Sequence, residues 1–205
     1  MYRVFPHTKG KEKRKARLKI VDAIKSTENK VGEMLCLPSN KAVMEKLIHK
    51  EIKTIRFIMC ERNKEVFSEL ANTVCNYFVK KPKLHLCEIG DLIYVAKENQ
   101  YLHLVLDYCG SAYKFENEVR HLFENNIVKV GGIVSFTFSK RGCLEPFVEK
   151  INKLKPILSN AKNERIEEAT RSFLEIQAKD NYIKEIDYVY GDKSKMMLFV
   201  YRRVK

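Results

Sequence analysis

From Val31 to Lys140, short apolar runs alternate with amphipathic segments, and the connections between them are brief. The run MLCLP (34–38) reads as a strand, and NKAVMEKLIHKEI (40–52) as a helix with Asn40 at its N-cap. TIRFIMCERN (54–63) is rich in β-branched and aromatic residues, as strands are, and ends at Glu61. In 64–80 the residues Val66, Phe67, Leu70, Val74, Tyr77 and Phe78 share one helical face, and Pro82 ends it. KLHLCEIGD (83–91) reads as a strand ending in Gly90-Asp91, with a short helix from Leu92 to Glu98. YLHLVLDYCGS (101–111) is a strand ending at Asp107. A helix over 114–128 and a strand over 131–140 follow.

Continuous apolar strands separated by helices predict a parallel sheet buried on both faces. The pattern changes after Glu145. A long helical region, with Pro146 and Pro156 near its start, runs to about Ala178. Two strands, NYIKEIDYVYG and SKMMLFVYRRV, are then joined so tightly at GDKS that they must pair antiparallel. The division expected is a basic N-terminal arm and helix (1–30), its helix packed through Leu18, Ile20, Val21 and Ile24, and one domain (31–205).

Charge adds a partner to this outline. The chain carries a formal +13, and residues 1–20 hold eight basic residues against Glu12 alone, a local +7. Lys11, Lys13, Arg14, Lys15 and Arg17 are the candidate phosphate contacts. Clustered cations favour a polyanion because each neutralised phosphate releases condensed counterions. Nucleic acid, DNA or RNA, is the partner expected; a solubilising tail or a localisation signal is the alternative reading of the same residues. The arm has few bulky apolar residues for a membrane surface, and no run reaches the roughly 20 apolar residues of a span. Six cysteines without metal-ligand spacing read as buried thiols in a reducing compartment, cytoplasmic or nuclear, with no metal site expected. High Lys, Asn and Ile usage without Trp suits an AT-rich genome such as that of a virus, plasmid or parasite.

Ligands of an open parallel sheet bind beyond the carboxyl ends of its strands. The residues there are Pro38-Ser39-Asn40, Glu61-Arg62-Asn63, Gly90-Asp91 and Asp107-Tyr108-Cys109-Gly110-Ser111. Three of the four positions carry a carboxylate. Each alone also suits a cap of the following helix, but acids at successive strand ends suggest one shared site. Tyr108 and Tyr113 fall past a strand end, where a base could stack on them. The histidines are scattered, and His85 and His103 read as core or surface residues.

Five βα steps, a long helix and a closing hairpin resemble the class I S-adenosylmethionine-dependent methyltransferases over residues 30–205. The resemblance implies a three-layer α/β/α sandwich with a seven-stranded sheet ordered 3-2-1-4-5-7-6, only the seventh strand antiparallel. FIMCERN matches the family's ribose-binding acid at Glu61, EIGD its adenine-contacting acid at Asp91, and LVLDYCGS its substrate-side motif at Asp107-Tyr108. The implied cofactor is S-adenosylmethionine, held by Pro38, Ser39, Asn40, Glu61, Arg62, Gly90 and Asp91, with Asp107 and Tyr108 facing the acceptor. The chain departs from the family at its first loop. EMLCLPSNKAV lacks the usual Gly-x-Gly, though Ser39, Asn40 and the next helix could still meet a carboxylate. The acid–Pro–Pro–aromatic motif of amino-group methylation is also missing both prolines, and Cys109 lacks the Pro-Cys context of a pyrimidine C5 nucleophile. The expected function is methyl transfer, with nucleic acid as the acceptor. The alternatives are an inactive protein that keeps the fold as a binding module, and an enzyme acting on protein or small molecules.

Overall fold

A computed structural model describes residues 10–108, 110–140, 145–191 and 195–205. Seven strands form a single sheet in the order β3-β2-β1-β4-β5-β7-β6, where β1 is Gly32–Cys36, β2 Ile55–Cys60, β3 Lys83–His85, β4 Tyr101–Asp107, β5 Val128–Ser139, β6 Tyr182–Tyr190 and β7 Met196–Arg203. β1 to β5 pair in parallel, while β7 lies antiparallel between β5 and β6. This is the sheet expected from the resemblance.

Helices cover both faces, so β4 and β5 have almost no exposed position and tolerate an apolar sequence throughout. One core layer lies under α1 (Lys11–Lys25), α2 (Val43–Glu51) and α3 (Lys64–Tyr77), centred on Ile24, Met34, Ile48, Phe57 and Val200. The other lies under α4 (Ile89–Tyr94), α5 (Glu116–Glu124), α6 (Glu145–Leu154) and α7 (Lys162–Ala178), centred on Leu104, Leu122, Phe136 and Phe173. Helix α1 is part of the first layer, with Ala16, Ile20, Val21, Ala23 and Ile24 buried against the sheet.

Several boundaries differ from the sequence pattern. Helix α2 begins at Val43, not Asn40. The N-cap position falls on Ala42, in the left-handed region at φ 44°, and no side chain caps the helix. The strand expected to reach Asp91 stops at His85, because Glu88 and Asp91 form a capping box that starts α4 at Ile89. The long C-terminal helix is two helices, broken around Pro156, whose ring cannot continue the ladder. By contrast, Pro146 is accepted in the first turn of α6. A register shift separates Tyr101 from His103 where β4 meets β5. Gly132 lies there because a Cβ would come 2.0 Å from the Leu102 carbonyl oxygen. The hairpin residues 192–194 lie outside the described residues, as do Cys109 and Cys143.

Candidate functional site at the strand tips

The carboxyl ends of β1, β2, β3 and β4 converge on one edge. At the first, the Leu37 N–H donates to the Val105 carbonyl at 3.1 Å and Pro38 is buried. The chain turns there through a bond from the Ala42 N–H to the Ser39 carbonyl. Asn40 faces α3, donating through Nδ2 to Glu69, while its carbonyl accepts from Thr73 Oγ1 at 2.9 Å. So Asn40 is held by α3 rather than serving as the cap of α2.

At the second tip, Asn63 is the cap of α3, accepting from the Glu65 and Val66 N–H groups at 2.9 and 3.1 Å. Glu61 is therefore not the helix cap. Its Oε1 accepts the Asn63 N–H at 2.8 Å, and its Oε2 has no partner among the described residues. Arg62 reaches across to the third tip, its Nη1 2.8 Å from Glu88 Oε1. Asp91, expected at the end of β3, instead lies in the first turn of α4, where Oδ2 accepts the Glu88 N–H at 3.2 Å. Gly90 is buried beside it, with the Tyr94 ring and Glu118 within 3.4 Å of where a Cβ would stand. Glu88, which the sequence pattern did not single out, is the acid nearer the strand end.

At the fourth tip the pleat sends consecutive side chains to opposite faces. Asp107 points toward α1, where Lys13 Nζ lies 3.7 Å from its Oδ2. Beneath it, Glu45 of α2 is 2% exposed in a cluster with Asp107, Arg17 and the Cys36 thiol. Burial pushes the Glu45 carboxyl up to about 7, and the Asp107 charge adds to this while Arg17 opposes it. Glu45 was legible. It lies on the same face as Ala42, Ile48 and Ile52, an acid in an apolar stripe. Tyr108 points the other way and is 2% exposed, so it does not offer a ring for stacking on a base. It is stacked between Phe115, at 3.8 Å between centroids, and Phe138, at 5.5 Å. Burial raises its phenol well above the usual value, and the hydroxyl finds no partner among the described residues.

The basic helix divides in two. Lys13 and Arg17, one turn apart, face inward to Asp107 and Glu45. Lys15 pairs with Glu12 at 3.0 Å, and Glu12 in turn accepts from Tyr188 at 2.6 Å. Of the five expected phosphate contacts, only Lys11 and Arg14 are exposed and form no ion pair among the described residues, Lys11 standing beside Glu12. Beyond the end of β5, a cavity of about 410 Å³ is lined by Lys140, Lys195, Arg171 and three glutamates. Lys140 is buried there against Glu167. Burial lowers its ammonium, helped by Lys195 and Arg171. Among the described residues no group of three or more His, Cys, Asp or Glu is placed to hold a metal ion, and no helix is long and apolar enough to cross a membrane.

The sequence matches no protein-family model and no curated protein. Solved structures, however, share the architecture over nearly the whole chain. The N-methyltransferase NodS of Bradyrhizobium japonicum, solved with S-adenosyl-L-homocysteine, superposes with a TM-score of 0.61 at 9% identity, covering 97% of this chain and 90% of that one. A candidate rRNA methylase of Clostridium thermocellum gives 0.64 at 8% identity over 92% and 97% of the two chains. A candidate methylase of Haemophilus influenzae gives 0.60 at 12% identity over 94% and 89%. The chain therefore has the class I methyltransferase fold.

Proposed function

We propose that the protein is an S-adenosylmethionine-dependent methyltransferase acting on nucleic acid. The observation that carries this is Glu61. On a methyltransferase sheet, an acid at the tip of β2 keeps one carboxylate oxygen without a partner among the described residues, as a ribose diol would require. The uncapped N-terminus of α2 adds backbone donors for a carboxylate group beside the tip of β1. These two features fit the cofactor; Asp91, committed to its own helix, fits less well, and Glu88 is the acid better placed beyond β3. When bound, the cofactor supplies an electrophilic methyl group, and this chain's part is to orient an acceptor near Asp107 and exclude water. Tyr108 belongs to the packing behind that site rather than to its surface. A basic chain and a structural neighbour described as a candidate rRNA methylase support nucleic acid as the acceptor.

A second reading has its own observation. The loop after β1 has no glycine, and its left-handed residue is Ala42, with no exposed surface. That suits a protein that keeps the fold as a binding module without turnover. Titration calorimetry with S-adenosylmethionine and S-adenosylhomocysteine separates the two. Binding in the wild type that falls at least tenfold in Glu61→Ala, with the fold intact by circular dichroism, is the expected result. No heat at millimolar cofactor would sink the enzyme reading.

A further inference from the structure

We propose that the face of α2 against Tyr77, with the segments that follow α2 and α3, forms a docking surface for single-stranded nucleic acid, with Tyr77 as a stacking platform and Lys46, Lys50, Lys53, Lys80 and Lys81 as phosphate contacts. The proposal rests on the nucleic-acid reading above and assigns it a surface.

Tyr77 is 44% exposed, yet its ring is held from behind. Phe78 lies edge-on at 5.1 Å and His49 at 6.2 Å, and these rest on the buried ring of Phe57. A large ring fixed by its neighbours loses little entropy when a base stacks on it. Lys46 Nζ stands 5.0 Å from the Tyr77 centroid, so a cation already marks the ring face. Among the described residues none of Lys46, Lys50, Lys53 and Lys80 forms an ion pair, although Lys50 lies close enough to Glu51 to help lower its carboxyl, and Lys81 donates to the Cys75 carbonyl. The nearby Glu51 is taken by Lys25 at 2.8 Å, and Glu45 is buried. A lysine in the last turn complements the helix dipole, which accounts for Lys50, and Lys81 reaches back to the Cys75 carbonyl of the last turn of α3. It does not account for Lys53 and Lys80, past the helix ends, or for the exposed tyrosine between them. The contrast with α1 is decisive, since there Lys13, Arg17 and Lys15 already meet the protein's own acids.

Helix α2 leads from the tip of β1 to this surface over nine residues, about 13 Å at 1.5 Å per residue. At roughly 3.4 Å per stacked nucleotide, a strand joining the two needs about four nucleotides or more.

The test is fluorescence anisotropy of the full chain with single-stranded RNA and DNA of about 12 nucleotides and with a duplex of equal length. The triple substitution Lys50→Ala, Lys53→Ala, Lys80→Ala should reduce the salt slope for single strands by about 2, from three phosphates lost. Tyr77→Ala should weaken single strands about tenfold and leave duplex binding unchanged, while Tyr77→Phe retains affinity. Wild-type affinity and slope in both variants would overturn this surface but leave the nucleic-acid reading standing. A wild type that binds no oligonucleotide would overturn both. So would binding confined to phosphatidylserine vesicles, which would give the lysines to a membrane instead.

Discussion

Asp107 and Tyr108 are neighbours at the end of β4, and they live in opposite environments. Asp107 enters a charged cluster under α1, whereas Tyr108 enters a dry aromatic stack under α5. One step of the pleat decides this, since successive residues on a strand face opposite sides. Neither residue is defined by its type alone. The acid stays partly exposed, 38% of its side chain accessible, on a face that carries polar neighbours. The tyrosine, despite its hydroxyl, functions as a core residue.

Tyr108→Ala empties a site packed by Phe115 and Phe138 and should have the largest effect, about 3–5 kcal/mol in denaturant unfolding. A loss below about 1 kcal/mol would mean that the ring is not core. Next is the pH dependence set by Glu45, which faces Arg17 from α1, Asp107 from β4 and Cys36 from β1. Its carboxyl moves from 4.5 unfolded to about 7 folded, so between those values the native state holds the extra proton. Stability is then greatest below the unfolded value and falls by about 3 kcal/mol as pH rises through 7. Glu45→Gln should flatten that slope and exceed the wild type in stability at alkaline pH. Equal slopes in the two proteins would refute the assignment. Tyr108→Phe, which removes a buried hydroxyl with no partner among the described residues, should stabilise by about 1 kcal/mol and spare any methyl transfer. A strong loss of activity with unchanged stability would return the hydroxyl to the site. The smallest effect is Lys13→Ala. Its pair with Asp107 spans 3.7 Å between partly exposed side chains, so the melting temperature should move by no more than about 2–4 °C.

The architecture was legible because each βα step announced itself twice, by an apolar run and by the period of the helix after it. The antiparallel closure followed from the tight joint between the last two strands. The order of the sheet came from the family resemblance, not from periodicity. What the pattern missed were contacts between distant segments. EIGD looks like a strand end, yet Glu88 and Asp91 cap a helix that starts two residues before Asp91. Asn40 has the chemistry of a cap, but Glu69 and Thr73 on another helix claim it. Tyr108 sits where a loop residue should be, and only the approach of Phe115 encloses it. Among the cations, position along the chain favoured residues 11–17, whereas Lys46, Lys53 and Lys80, with no ion pair among the described residues, come from two segments that meet only after folding.

The packing of α1 also has a consequence in time. Two of its partners come late: Glu12 accepts from Tyr188, and Ser26 accepts from Arg202, each 176 positions later. Strand β7 must insert between β5 and β6 before those partners exist. Helix α1 meets α2 earlier in synthesis, through Lys25 and Glu51, but its contacts with the closing hairpin form only once residues 182–203 have been made.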